Sequence, residues 1–295
     1  MKNLEGIIPY LVSPVNSDGS VKTETLTRLC DDLITEGVHG LCVLGSVGEF
    51  PYLTAKQKQV IVQTVVRAAH GRVPVIAGVA GYSTAQACEE ALAFASFGVD
   101  ALVVMLEYYF PLDADQVAGF YRDVATVVPD CPIIIYSNPK YMHCDIPFEV
   151  FERLTDVPNI LYYKDAFGNT GRLLTLRNRF GDRFKLFSAS AHVPLFVSML
   201  GGVGWMAGPA CLVPSQCLLL HELYRNKEMD RAMDLQTKLW EINRVFAKYD
   251  LAACVKAGLQ HLGYPVGIPV PPLRPLSSAG EKEICSLIDT IRSIR

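Results

Sequence analysis

Along the chain the spacing of apolar residues changes period again and again. Short β-branched runs give way to a turn residue and then to stretches with apolar positions three and four apart. Strands are predicted at Ile7–Val12, Gly40–Leu44, Pro74–Gly78, Ala101–Met105, Pro132–Tyr136, Ile160–Lys164, Lys185–Ser188 and Gly204–Met206. Amphipathic helical stretches fall between them, among them Thr23–Glu36, Thr54–Ala69, Ser83–Phe97, Asp113–Val127 and Val193–Leu200. Thr54 and either Ser83 or Thr84 are good N-caps, and Gly98 reads as the left-handed residue after a helix end. Eight βα units within roughly 220 residues match an α/β fold of the (β/α)8 TIM-barrel type, and no Gly-x-Gly-x-x-Gly fingerprint of a doubly wound sheet follows the first strand. Past Gln216 the alternation stops. Residues 1–215 are therefore read as the barrel, and 216–295 as its last helix plus a C-terminal helical cap, built from 221–249 and 251–263.

Composition narrows the class without naming a reaction. Half of the 295 residues are hydrophobic and 19% are charged, which excludes disorder as a description of the whole chain. Lys and Arg number 27 against 30 Asp and Glu, a net charge of −3 with no block of one sign. Neither nucleic acid nor an anionic membrane is an expected partner; small molecules and copies of the same chain are. The nine cysteines are scattered with no CxxC pair, so no disulfide framework or zinc cluster is expected, and thiols within apolar runs suit a reducing cytoplasm. The opening MKNLEGIIPYLVSP has no signal-peptide pattern. Leu186–Leu220 carries no Asp, Glu, Lys or Arg, but its prolines and glycines cut it into pieces too short to span a bilayer, so a buried helix and a buried strand are expected there. The six histidines show no metal-ligand spacing and no GxSxG elbow occurs, so neither a metal nor a serine hydrolase is expected.

In such barrels chemistry sits at the C-terminal ends of the strands. Lys164 closes the run NILYYK at the sixth strand. An amine among Ile, Leu and Tyr is poorly solvated, which lowers its pKa and suits a nucleophile toward a keto acid. A lysine snorkelling out to an ion pair is the structural alternative. Tyr136 ends the fifth strand, next to the sixth, where a phenol could carry a proton or simply fill the core. GSVGEF follows the second strand, and Gly45 and Gly48 would let the N–H groups of Ser46 and Val47 converge on an anion. Tyr108 and Tyr109 follow the fourth strand as a lid, a subunit contact or packing.

Taken in order, GSVGEF at 45–50, YY at 108–109, IIIYSNP at 133–139, YYKDAFG at 162–168 and GGVGWMAGPA at 201–210 resemble the dihydrodipicolinate synthase and N-acetylneuraminate lyase family of Schiff-base aldolases. VKAGLQHLG, late in the helical cap, belongs to the same likeness. The resemblance implies Lys164 as the Schiff-base lysine, Tyr136 as the proton relay, and the Ser46–Val47 turn as the site for the pyruvate carboxylate. It implies Tyr109 as an aromatic residue completing the site of a neighbouring subunit in a dimer or tetramer. No cofactor is implied. Gly45, Val47, Asn138, Tyr141 and Met206 are expected to border the substrate.

Two departures narrow the expectation. The carboxylate turn carries Val47 where a second hydroxyl residue is usual, so only the backbone N–H can serve there. Tyr141 stands where the synthase branch places an arginine for a second carboxylate, and a phenol cannot replace a bidentate guanidinium. The chain therefore looks more like the hydratase-aldolase branch, which cleaves arylidene pyruvates to pyruvate and an aldehyde, with Asn138 positioning a water. The alternatives are a dehydratase or aldolase of 2-keto-3-deoxy sugar acids, a true dihydrodipicolinate synthase, and a keto-acid-binding protein without turnover.

Overall fold

The computed structural model describes residues 3–107, 109–138, 142 and 145–294. Eight parallel strands lie in the order β1-β8-β7-β6-β5-β4-β3-β2. They are β1 (Gly6–Pro9), β2 (Leu41–Val43), β3 (Val75–Gly81), β4 (Ala101–Leu106), β5 (Ile133–Ser137), β6 (Ile160–Asp165), β7 (Lys185–Ser188) and β8 (Gly204–Ala207). The seam between β1 and β2 closes through the parallel bridge of Tyr10 with Cys42, where the Leu11 N–H donates to the Cys42 carbonyl at 2.8 Å. This is a (β/α)8 barrel. Each strand lies within three residues of its expected bounds, and the largest differences are at the first, which ends at Pro9 rather than Val12, and at the third, which runs on to Gly81.

A helix follows every strand: α1 (Thr23–Glu36), α2 (Ala55–Ala69), α3 (Thr84–Ser96), α4 (Ala114–Val127), α5 (Phe148–Arg153), α6 (Thr170–Phe180), α7 (Pro194–Met199) and α8 (Pro214–Arg225). Thr54 and Asp113 each make a full capping box with the glutamine three residues on, and Ser83 caps α3, which fixes where these helices start. The uncharged stretch 186–220 resolves into most of β7, the short α7, β8 and the start of α8, and among the described residues no helix is long and apolar enough to cross a membrane. The last three helices are α9 (Met229–Lys248), α10 (Leu251–His261) and α11 (Ser278–Arg292). The helical stretch 221–249 is divided between Arg225 and Met229, where Lys227 takes a φ of +63°. The break lets α9 fold back over the mouth of the barrel.

Candidate active site

Strand alternation decides which side chains reach the barrel axis. On β6, Tyr162 and Lys164 point inward while Tyr163 and Asp165 face the helices. Tyr163 meets the ring of Phe151 edge to face at 5.0 Å, and Asp165 accepts from the Tyr163 hydroxyl at 3.0 Å and from the Gly168 N–H at 2.9 Å. Pairing of β5 with β6 sets Tyr136 directly beside Lys164. The Lys164 Nζ lies 3.6 Å from the centroid of the Tyr136 ring and 4.1 Å from that of Tyr10.

Electrostatics follow from that shell. Lys164 is 4% exposed, and burial lowers its pKa to about 7. Two groups oppose the shift, Cys42 and Asp165, but neither is an anion held against the amine. Burial pushes the Cys42 thiol up to about 12, so it stays neutral, and Asp165 is turned to the other side of the pleat. Desolvation therefore wins. The Tyr136 phenol is also pushed up by burial, against the hydrogen bonds of Asn138 and Ser46, and it is protonated near neutrality. The Asn138 Nδ2 donates to the Tyr136 oxygen at 2.7 Å, which engages a lone pair and leaves the phenol proton to be given elsewhere.

The turn after β2 stands beside this pair. The Gly48 N–H donates to the Gly45 carbonyl at 2.9 Å and the Glu49 N–H to the Ser46 carbonyl at 3.2 Å, while the N–H groups of Ser46 and Val47 donate to no acceptor among the described residues. Neither Gly45 nor Gly48 takes a positive φ. The left-handed backbone falls on the flanking Leu44 and Glu49, at φ +58° and +54°, whereas Gly45 permits contact: a Cβ there would sit 2.2 Å from carbons of the Tyr10 ring.

A cavity of about 430 Å³ opens above Lys164. It brings together Ser46, Val47, Tyr136, Asn138, Lys164 and Met206 of the expected residues, with Gly45 in the turn behind. Tyr109 is not among them: it is 86% exposed, stacked edge to face on Phe110, and does not reach the cavity of its own chain. Tyr141 lies outside the described residues. Asn138 is engaged with Tyr136 in the first instance, rather than with a water alone. Sequence reasoning passed over Tyr10, which lies just past the end of β1 at the barrel mouth, because the first strand was expected to run on to Val12. It also passed over the outer wall, where Trp240, Asn243 and Phe246 of α9 join Tyr249, Asp250 and the loop residue His192. No local pattern marks a helix residue for a distant strand end. Among the described residues no group of three or more His, Cys, Asp or Glu is placed to hold a metal ion.

Comparison with known proteins agrees with this architecture. The model of the dihydrodipicolinate synthetase family matches residues 3–291. A 4-hydroxy-tetrahydrodipicolinate synthase from Prochlorococcus marinus is 28% identical over 288 residues, 98% of this chain and 95% of its own. A dihydrodipicolinate synthase from Bacillus anthracis superposes with a TM-score of 0.93 at 24% identity, covering 100% of both chains. YagE from Escherichia coli, solved in complex with pyruvate, gives a TM-score of 0.90 at 24% identity, covering 98% of this chain and 99% of its own. The chain belongs to the dihydrodipicolinate synthetase family, whose members are class I lyases.

Proposed function

We propose that Lys164 forms a Schiff base with pyruvate or a related 2-keto acid, and that the protein makes or breaks the carbon–carbon bond next to the imine. The observation that carries this reading is a desolvated amine, with its pKa near 7, in contact with a protonated phenol under an open cavity. In the cleavage direction the neutral amine adds to the keto carbon and water leaves. The C4 hydroxyl then gives up its proton, the C3–C4 electron pair moves into the iminium, and the aldehyde departs. Protonation of the enamine at C3 and hydrolysis return pyruvate and the amine. Tyr136 is assigned the proton transfers, and Ser46 with the N–H groups of Ser46 and Val47 the carboxylate. The pyruvate bound by YagE supports the keto acid as substrate.

The first expected result concerns pH. Trapping of the imine with borohydride at subsaturating pyruvate should rise through pH about 7 and then level off, because the amine is nucleophilic only once it has lost its proton. An ordinary lysine would keep gaining up to about pH 10. A profile still climbing above pH 9 would remove the desolvated amine from the argument.

The second substrate is assigned as a neutral aldehyde. Among the described residues bordering the cavity, Lys164 is the only lysine or arginine, and Asp250 adds a carboxylate at the outer wall. Arg172 is no substitute, since it lies behind β6, committed to Asp145 and the Ile146 carbonyl. A second carboxylate would shed water without a charge partner here, whereas Trp240 and Phe246 offer aromatic surface. Pyruvate release from a panel of 4-hydroxy-2-keto acids should therefore favour those with neutral, aryl or short hydroxyalkyl tails, and condensation with aspartate semialdehyde should lag them by at least about 10²-fold in kcat/KM, the scale of one unmet charge. Efficient turnover of the semialdehyde would restore the synthase reading carried by the name of the Prochlorococcus relative. The exposed Tyr109–Phe110 pair is assigned to contact with a second copy, from which Tyr109 would complete the partner's site, and the unpaired thiols fit a reducing cytoplasm.

A further inference from the structure

Behind the Ser46–Val47 turn lies a buried ion pair that the proposed chemistry leaves unused. Glu49 ends the turn, and its carboxylate meets the ammonium of Lys256 on α10, both side chains being 0% exposed. The Glu49 Oε1 also accepts the Val270 N–H at 2.6 Å, and the Lys256 Nζ donates to the Ile268 carbonyl at 2.9 Å. One point thus fastens the turn after β2, the middle of α10 and the segment that follows it. These are GSVGEF and VKAGLQHLG, far apart in sequence.

Stability is a poor reason for such a pair. Burial pushes the Glu49 carboxyl up and the Lys256 ammonium down, against the attraction between them. Buried pairs can often be replaced by uncharged groups of similar size with little or no loss of stability, while removing one partner is costly. What the pair does supply is fixed geometry. Glu49 holds a left-handed backbone, a conformation that a non-glycine residue keeps only when its surroundings impose it, and its N–H closes the turn on Ser46.

We propose that Glu49 and Lys256 are positioning residues for the keto-acid carboxylate, clamping the Ser46–Val47 turn where it borders the cavity. The proposal rests on the reading of that turn as the carboxylate site. It also gives the C-terminal helices a part in binding the first substrate, in addition to walling the second. Displacing a positioned donor by about an ångström typically costs on the order of ten- to a hundred-fold.

The test compares wild type with Lys256→Met and with the double variant Glu49→Gln/Lys256→Met, which leaves no charge buried alone. Borohydride trapping is titrated with pyruvate and, separately, with acetone, a ketone without a carboxylate. The double variant should melt cooperatively near the wild-type Tm, need about ten-fold more pyruvate for half-maximal adduct, and reach the same adduct at saturation. Its trapping of acetone should be unchanged, an outcome that general loosening of the barrel would not give. An unchanged pyruvate requirement, an equal loss with acetone, or a double variant that fails to fold would each overturn the proposal, the last by making the pair structural. Absence of any wild-type adduct would instead overturn the Schiff-base reading and take this proposal with it.

Discussion

Lys164→Ala should abolish turnover, leaving no pyruvate release above the uncatalysed rate, because alanine has no amine to form the imine. The mass spectrum is the direct check: wild type treated with pyruvate and borohydride should gain one adduct on the peptide containing Lys164, and the variant none. An adduct on another lysine, or none on wild type, would refute the assignment. The same substitution should not unfold the protein. The ammonium is buried against two aromatic rings, with no carboxylate in contact among the described residues, so the native state carries a desolvation cost that alanine removes. The sign follows from linkage. The folded pKa of about 7 lies below the usual 10.5, so the unfolded state binds more protons between those values, and the cost is greatest below pH 7 and fades toward pH 10.5. The Tm of Lys164→Ala relative to wild type should therefore be most favourable at low pH and lose that advantage as pH rises. A relative Tm that moved the opposite way would mean that Lys164 has an anionic partner.

The barrel was legible because each βα unit changes hydrophobic period, and it is the change, more than any one run, that marks the boundary. The elements that escaped lack that contrast. FEVFER, which forms α5, is only 6 residues, too short for a 3.6 period to declare itself, and α6 carries Arg172, Arg177 and Arg179 among its apolar positions. The division of α8 from α9 has no glycine or proline to announce it, since the left-handed residue is Lys227. Lys164 and Tyr136 could be picked out because strand ends converge whatever the loops do. Trp240 and Asp250 could not, because they reach the mouth only through docking of the C-terminal helices, a tertiary event with no local signature. Glu49 stood in plain view in GSVGEF, but its partner is 207 positions away and gave no sign of being buried.

Tyr136→Phe should keep the substrate and lose the rate. The ring still fills the space beside Lys164, and the amine remains, so the borohydride adduct at saturating pyruvate should match wild type. Turnover should fall by roughly 10²–10⁴-fold, the range for removing a positioned acid or base. The geometry argues for this division. The phenol is buried and protonated near neutrality, its oxygen accepts from Asn138, and the centroid of its ring lies 3.6 Å from the Lys164 nitrogen, so it stands beside the amine on which the imine is proposed to form. Exchange of the C3 protons of pyruvate with deuterated water, followed by NMR, isolates the step: it requires the imine and a proton carrier but no aldehyde. It should slow in Tyr136→Phe by about the same factor as turnover. Near wild-type exchange and kcat would make Tyr136 a packing residue and move the proton transfers to another group, with the hydroxyl of Ser46, also bonded to the phenol, the nearest candidate.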